Sequence, residues 1–126
     1  MSIPASAEPM AFILVRDRAK AKAFYQGVLG LRLMSEDDYA DVYDLNGITL
    51  RLTTVEVWTA HPHKVVGWSV PDIAATSAAL AAKGVKFNIY DGFGQDALGI
   101  WTSPEGKAKI NWFNDPEGNV LSLKEG

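Results

Sequence analysis

The chain has 126 residues, 48% of them hydrophobic, and a formal net charge of -3. This length suits one domain with one core, and the mild acidity argues against a nucleic-acid partner, which requires a basic face. No apolar run approaches the roughly 20 residues that span a bilayer, so no membrane partner is expected. The sequence has no cysteine, which excludes disulfides and thiolate chemistry and favours a cytoplasmic location.

The first half predicts a strand, a helix and a closing hairpin. The segment Met10–Val15 is apolar throughout, as expected of a strand covered on both faces. Asp17 precedes an Ala-rich stretch and predicts a helix N-cap, and Gly30 marks the end of that helix. Residues 44–52 carry an Asn-Gly turn signal followed by alternating polar and apolar residues, so they predict a hairpin entering a final strand.

The second half repeats this pattern. Asp72 predicts a second N-cap, Gly84 a second helix end, residues 85–87 a strand, and residues 115–123 a second closing hairpin. About sixteen extra residues fall within 91–107, where glycines and a proline predict a long loop. Each half therefore reads as a βαβββ module. The predicted packing positions are Phe24, Tyr25, Val28 and Leu29 in the first helix, and Ile73, Thr76 or Ser77, and Leu80 in the second.

Two motifs resemble the vicinal oxygen chelate superfamily, which includes glyoxalase I, extradiol dioxygenases and the fosfomycin- and bleomycin-resistance proteins. They are FYxxVLGL at Phe24–Leu31 and DPxGN at Asp115–Asn119. The resemblance covers about residues 10–124 and implies an α+β fold in which two modules form curved mixed sheets around a cup. We expect one domain, 1–126, with modules at about 10–58 and 65–124 joined by a linker at 59–64. The resemblance also implies a homodimer.

In that superfamily a divalent metal is held in the cup by four side chains, His or Gln at two positions and Glu at the other two. The internal repeat places these positions at Met10, Val65, Arg51 and Ser122. None of the four is a usable ligand for a hard or borderline cation, because they offer a thioether, an alkyl group, a permanent cation and a neutral hydroxyl. We therefore expect no metal and no cofactor.

Three titratable residues are candidates for catalysis, each with an alternative. Arg51 either binds an anion or stabilises an oxyanion, or else pairs with Ser122 and an acid such as Glu56 or Asp44. His63 is either an exposed linker histidine or a rim ligand or general base. Asp96 is either a base in the long loop or a solvated loop acid.

The aromatic residues divide into predicted pocket walls and predicted core. Trp58 and Trp101 lie near segment ends or in the long loop, where an aromatic ring can wall a pocket. By strand parity, we expect Trp68 and Trp112 to face the helices, while Phe12, Asn111 and Phe113 line the cup floor. The predicted ligand-binding residues are Met10, Phe12, Arg51, Trp58, Trp101, Asn111, Phe113 and Ser122.

The resulting hypothesis is a metal-independent small-molecule binding protein that sequesters a drug or metabolite. The alternative is a lyase or isomerase that acts near a carbonyl, with Arg51 stabilising an oxyanion and His63 or Asp96 moving a proton. A third alternative is that side chains fill the cup and the domain only scaffolds a partner. The binder and the enzyme differ in whether a titratable group lies within proton-transfer reach of Arg51.

Overall fold

In the computed structural model, which describes residues 2–126, the chain forms two compact units, the first ending at Trp58 and the second beginning at Thr59. Each unit contains one four-stranded mixed sheet and few helical residues. The predicted α+β class with two related modules is confirmed, whereas a single domain over 1–126 stays a prediction. Within the described part of the chain, no helix combines the length and apolarity that crossing a bilayer requires.

The first unit follows the predicted order of elements. Its strands are β1 (Met10–Val15), β2 (Arg32–Glu36), β3 (Ala40–Asp44) and β4 (Thr49–Thr54), and its helical residues are α1 (Arg18–Lys22) and a π-helical segment (Ala23–Val28). The sheet order is β1-β4-β3-β2, with β1 parallel to β4 and the other neighbours antiparallel. Asp17 caps α1 as predicted, since its carboxylate accepts from the backbone N–H of Lys20 at 3.1 Å.

The π-helical segment is a departure from the predicted α-helix. The backbone N–H of Leu29 donates to the carbonyl of Phe24 at 2.9 Å, a step of five residues instead of four. The wider turn rotates the side chains relative to an α-helical stripe. Tyr25 is fully buried, whereas Phe24 and Val28 are half-buried. The spacing of four thus predicted the helix but not its winding.

The first sheet has one face against the helical residues. The ring of Tyr25 lies 6.2 Å from that of Tyr43 on β3, so Tyr43 faces the helix. Because side chains alternate along a strand, the cross-strand register places Arg51 on the opposite side together with its β1 partner Phe12. We call this side the first open face. It carries Met10, Phe12, Leu14, Val42, Thr49, Arg51 and Thr53.

The second unit contains β5 (Lys64–Ser69), α2 (Ile73–Ala82), β6 (Trp101–Thr102), β7 (Lys109–Asn114) and β8 (Val120–Glu125). Its sheet order is β5-β8-β7-β6, with β5 parallel to β8. Asp72 caps α2, because its carboxylate accepts from the N–H of Ala75 at 3.0 Å. The predicted buried face of α2 is confirmed at Ile73, Ser77 and Leu80.

The predicted strand at 85–87 is wrong as a continuous element. Phe87 makes only an isolated bridge to Phe113 of β7, and the N–H of Asn88 donates to the carbonyl of Trp112 at 2.8 Å. The chain then leaves the sheet and returns at β6, where Trp101 pairs with Ile110 of the same strand. Residues 89–100 are therefore an excursion from one sheet edge, and we call them the edge loop. The extra residues expected within 91–107 fall largely in it.

The faces of the second sheet differ from the predicted ones. Asn111 donates its side-chain N–H to the hydroxyl of Ser77 on α2 at 2.8 Å, so Asn111 and Phe113 face the helix and are fully buried. Their assignment to the cup floor is wrong, and so is the core assignment of Trp112, which alternates with them. Trp112 instead pairs across β7 and β8 with Ser122. The second open face carries Gly67, Trp101, Ile110, Trp112, Val120, Ser122 and Lys124.

Candidate functional site

The four positions of the implied metal set lie two in each unit. Met10 and Arg51 share the first open face. Ser122 lies on the second open face opposite Gly67, and Val65 occupies an irregularity in the pairing of β5 with β8. Their donor atoms do not fit a divalent metal, for the reasons of charge and softness given above. Among residues 2–126 no three His, Asp or Glu side chains are grouped so that they could hold a metal ion.

Arg51 is engaged with an acid that the sequence did not single out. Its guanidinium donates to the Oδ2 atom of Asp37 at 3.2 Å, so the predicted partners Asp44 and Glu56 are wrong. The Oδ1 atom of Asp37 accepts from the N–H groups of Tyr39 and Ala40, both at 2.8 Å. These two backbone bonds, and then Arg51, lower the pKa of Asp37 below its ordinary value. Asp37 is therefore a charged turn residue and a weak base at neutral pH.

A second cation of the first unit holds the helix to the sheet. The Nε and Nη2 atoms of Arg18 donate to Asp41 at 3.0 and 2.6 Å, and Nη2 also reaches the carbonyls of Asp37 and Ala40. Only 1% of Asp41 is exposed, and its hydrogen bond raises the pKa of Arg18 above the ordinary value. Sequence reasoning missed this pair. One signal for it was present in the sequence. Asp41 lies two residues before Tyr43 on the same strand, so the two side chains share the face that packs on the helix, and a buried acid there requires a cation.

The second open face carries a pocket walled by aromatic rings. Its volume is about 300 Å³, and we call it the aromatic pocket. The ring of Trp112 lies 5.5 Å from Tyr90 and 6.1 Å from Phe93, both in edge-to-face geometry. Apolar walls with a few polar groups are typical of small-molecule sites. The lining residues are Pro62, His63, Lys64, Tyr90, Phe93, Trp112 and Val120.

The side chain of Gln95 fixes the edge loop that supplies two of these rings. Its Oε1 atom accepts from the N–H of Tyr90 at 2.7 Å. Its Nε2 atom donates to the carbonyls of Asn88 at 2.8 Å and Gly99 at 2.7 Å. One amide group thus ties the start of the loop to its end. The polar groups of Gln95 are therefore used by the backbone of its own loop.

Asp96 also serves the edge loop. Its Oδ1 atom accepts from the N–H groups of Leu98 and Ile100, both at 2.9 Å, and its own N–H donates to the carbonyl of Ile100 at 3.0 Å. These bonds close a tight turn, which accounts for the acid at this position. The contacts favour the loop-acid alternative over a role as general base.

Beside the aromatic pocket lies a groove of about 450 Å³ along β5 and β8, which we call the lysine groove. Gly67 is one of its lining residues, and a Cβ atom there would lie 2.5 Å from the hydroxyl of Ser122. Among the described residues that line it there are two lysines and no carboxylate. The lining residues are Lys64, Val65, Val66, Gly67, Trp68, Ser69, Ser122 and Lys124.

The remaining predicted residues lie in different surroundings. Phe12 is 61% exposed on the first open face, and Trp101 is half-buried on the second. His63 lines the aromatic pocket and stacks on His61 with ring centroids 5.3 Å apart. Trp58 is half-buried beyond the end of β4. That these side chains bind a ligand stays a prediction.

The sequence matches a family model described as the Glyoxalase/Bleomycin resistance protein/Dioxygenase superfamily over residues 9–123. Similar solved structures include a glyoxalase family protein from Bacillus anthracis, with 12% identity, a TM-score of 0.76, and coverage of 100% of this chain and 99% of that one. A genomically encoded fosfomycin resistance protein from Listeria monocytogenes has 13% identity, a TM-score of 0.75, and coverage of 98% and 95%.

A lactoylglutathione lyase from Agrobacterium tumefaciens is also similar, with 17% identity, a TM-score of 0.72, and coverage of 98% of this chain and 96% of that one. At these identities the structural likeness shows the fold alone. A search of curated proteins found no match.

Proposed function

This chain belongs to the Glyoxalase/Bleomycin resistance protein/Dioxygenase superfamily, and we propose that it is a small-molecule binding protein that works without the superfamily's four-ligand metal centre. The fosfomycin resistance protein and the lactoylglutathione lyase named above show that similar folds serve more than one activity. Fold alone does not choose among them. The choice therefore depends on the side chains of this chain.

The observation that supports binding is the aromatic pocket. Three rings in mutual contact give an apolar wall, and burying a ligand surface against it is favourable at roughly 25 cal/mol per Å². The ring-bearing loop is held from within by Gln95, so little conformational entropy is lost when a ligand binds. The aromatic pocket is not lined by the predicted binding residues Met10, Phe12, Trp58, Trp101 and Ser122, whose part in binding stays a prediction.

The enzymatic alternative requires a free cation and a proton-transfer group. Arg51 is paired with Asp37, whose lowered pKa makes it a weak base. One carboxylate oxygen of Asp96 accepts two hydrogen bonds within its own loop. These contacts favour binding over proton-transfer catalysis. His63 is exposed at the aromatic pocket, where it adds a polar group to the wall.

Intrinsic fluorescence tests the proposal. Titration with 2-naphthylmethanol, a neutral aromatic probe, should change the emission of the native protein, and a Trp112→Phe variant should lose most of that change because it removes the pocket's indole. Trp58→Phe is the matched control, since Trp58 lies outside the pocket. An unchanged response in Trp112→Phe would place binding elsewhere and contradict the proposal.

Metal dependence and assembly are tested separately. Elemental analysis of purified protein should find no stoichiometric zinc, nickel, manganese or iron, and added metal should leave ligand binding unchanged. A stoichiometric metal in the purified protein would contradict the metal-independent proposal. The homodimer that the superfamily resemblance implies is checked by light scattering at micromolar protein concentration. A cytoplasmic location remains part of the same proposal.

A further inference from the structure

We infer that the ligand class is an aromatic anion, meaning a planar aromatic ring that carries a carboxylate or sulfonate. This inference rests on the proposed binding function. It assigns the ring to the aromatic pocket and the anionic group to the lysine groove, so that one molecule occupies both.

The two sites adjoin at the start of β5. Lys64 lines both of them. Trp112 of the aromatic pocket pairs across β7 and β8 with Ser122 of the lysine groove. Directly paired residues on antiparallel strands have Cα atoms only about 4.5–5.5 Å apart. A ligand of one or two fused rings with an attached acidic group spans that separation.

The lysine groove has the chemistry to hold an anion. Lys64 and Lys124 supply ammonium groups, while Ser69 and Ser122 supply hydroxyl donors. Neither lysine makes an ion pair with another residue of the described chain, 2–126. Hydrogen bonds from a charged donor to a carboxylate are roughly twice as strong as neutral ones. An incoming anion would therefore meet cations that no protein carboxylate has neutralised.

The aromatic pocket fits a ring better than it fits a cation. Three aromatic side chains can also bind a quaternary ammonium group through their π faces. Here, however, Lys64 is among the lining residues, and its positive charge disfavours a second cation nearby. The rings of Tyr90, Phe93 and Trp112 instead offer edges and faces for edge-to-face contact with another aromatic ring.

The carboxylates of Asp115 and Glu125 accept hydrogen bonds from other parts of the chain. Asp115 uses both oxygens in its own turn, accepting from the N–H groups of Glu117 and Asn119 and from the side-chain amide of Asn119. Glu125 accepts from the N–H of Ile73 at the start of α2 at 2.9 Å. Neither lines the groove or the pocket. Neither carboxylate therefore neutralises the lysines of the groove, and their positive charge can attract an anionic ligand.

The test compares three naphthalene probes of equal ring size by isothermal titration calorimetry on the full chain. They are 2-naphthoate, neutral 2-naphthylmethanol, and the cationic (2-naphthylmethyl)trimethylammonium. We expect 2-naphthoate to bind at least 10-fold more tightly than the alcohol and the cation to bind most weakly. The preference for 2-naphthoate should shrink as sodium chloride is raised, because the attraction is electrostatic.

A lysine variant locates the anionic group. Lys124→Gln should weaken 2-naphthoate about 5-fold and leave 2-naphthylmethanol unchanged, whereas Lys86→Gln, an exposed lysine outside both sites, should change neither. Thermal melts of both variants establish that they remain folded. Retention of full 2-naphthoate affinity by Lys124→Gln would overturn the inference.

The possible outcomes distinguish failure of the aromatic-anion inference from failure of the proposed small-molecule binding. If 2-naphthoate and 2-naphthylmethanol bind equally, or the cation binds best, the ligand is not an anion although small-molecule binding stands. If none of the three probes binds, both the inference and the proposed aromatic pocket are overturned.

Discussion

The two units share one sheet topology but use their charges differently. In the first unit, three cations are paired within the unit: Arg18 with Asp41, Lys22 with Glu36 and Arg51 with Asp37. In the second, the described polar side chains mostly bond backbone groups of their own loops, and the lysines of the groove have no acidic partner within residues 2–126. The first copy of the module thus uses three ion pairs to join its own elements, whereas the groove lysines of the second, where we propose that an anionic group binds, have no such pair within the described residues.

The largest expected effect comes from breaking the ion pair between the part-buried Arg18 and the buried Asp41 of the first unit. Arg18→Ala leaves the carboxylate of Asp41 buried without its cation, which costs about 3 kcal/mol in the free energy of unfolding. Urea denaturation measures the loss. Arg32→Ala removes an exposed arginine of β2 and should change stability by less than about 0.5 kcal/mol. Equal losses in both variants would show that the pair does not hold the unit together.

A smaller effect is expected in the edge loop of the second unit. Gly99 is buried with φ +72°, and an added Cβ would lie 2.7 Å from the Cβ of Phe87. Gly99→Ala should therefore cost about 2 kcal/mol and weaken probe binding. Gly94→Ala is the matched control, because Gly94 has φ +67° but open space around it, so it should cost about 1 kcal/mol from backbone strain alone. Equal costs would mean that contact with Phe87 is unimportant.

The smallest effect is the dependence of stability on acid pH, which we assign to the first unit. The pKa of Asp37 is lowered on folding by the N–H groups of Tyr39 and Ala40 and by Arg51. Its stabilisation is complete above the ordinary value of 3.8 and is lost as pH falls through the folded value. Glu36, beside Lys22, behaves in the same direction. The free energy of unfolding, measured from neutral to strongly acid pH, should fall less steeply in Asp37→Asn than in the native protein. An identical slope in the two proteins would show that Asp37 does not cause the pH dependence.

Much of the fold could be predicted because local signals agree with it. The two capping aspartates, Asp17 and Asp72, bond first-turn amides in the structure, and the buried face of α2 follows its spacing. The π-helical winding of 23–28 could not be predicted, since its apolar residues also fit an α-helix. The split edge strand was missed because pairing with β7 is set by tertiary contacts and not by residues 85–87.

The candidate site was predicted less well, and the reason lies on β7. Assigning the polar Asn111 to the wet side and the apolar Trp112 to the core is sensible on hydrophobicity alone. The side-chain N–H groups of Asn111 donate to the hydroxyl of Ser77 and the carbonyl of Leu98 inside the core, while its Oδ1 atom has no hydrogen-bond partner within the described residues, and these donor bonds reverse that choice. Because side chains alternate, one such bond turns the whole strand over. Sequence spacing could place Arg51 on a sheet face but could not identify Asp37 as its partner.

The edge loop leaves β7 after Asn88 and rejoins it at Trp101. Since departure and return occur beside the same strand, its length can change without altering the hydrogen-bonded register on either side. Gln95 spans this gap with one amide group. Exchanging the sequence of this loop would therefore change the side chains that stand beside the neighbouring surface. The pairing of the strands in the sheet would stay the same.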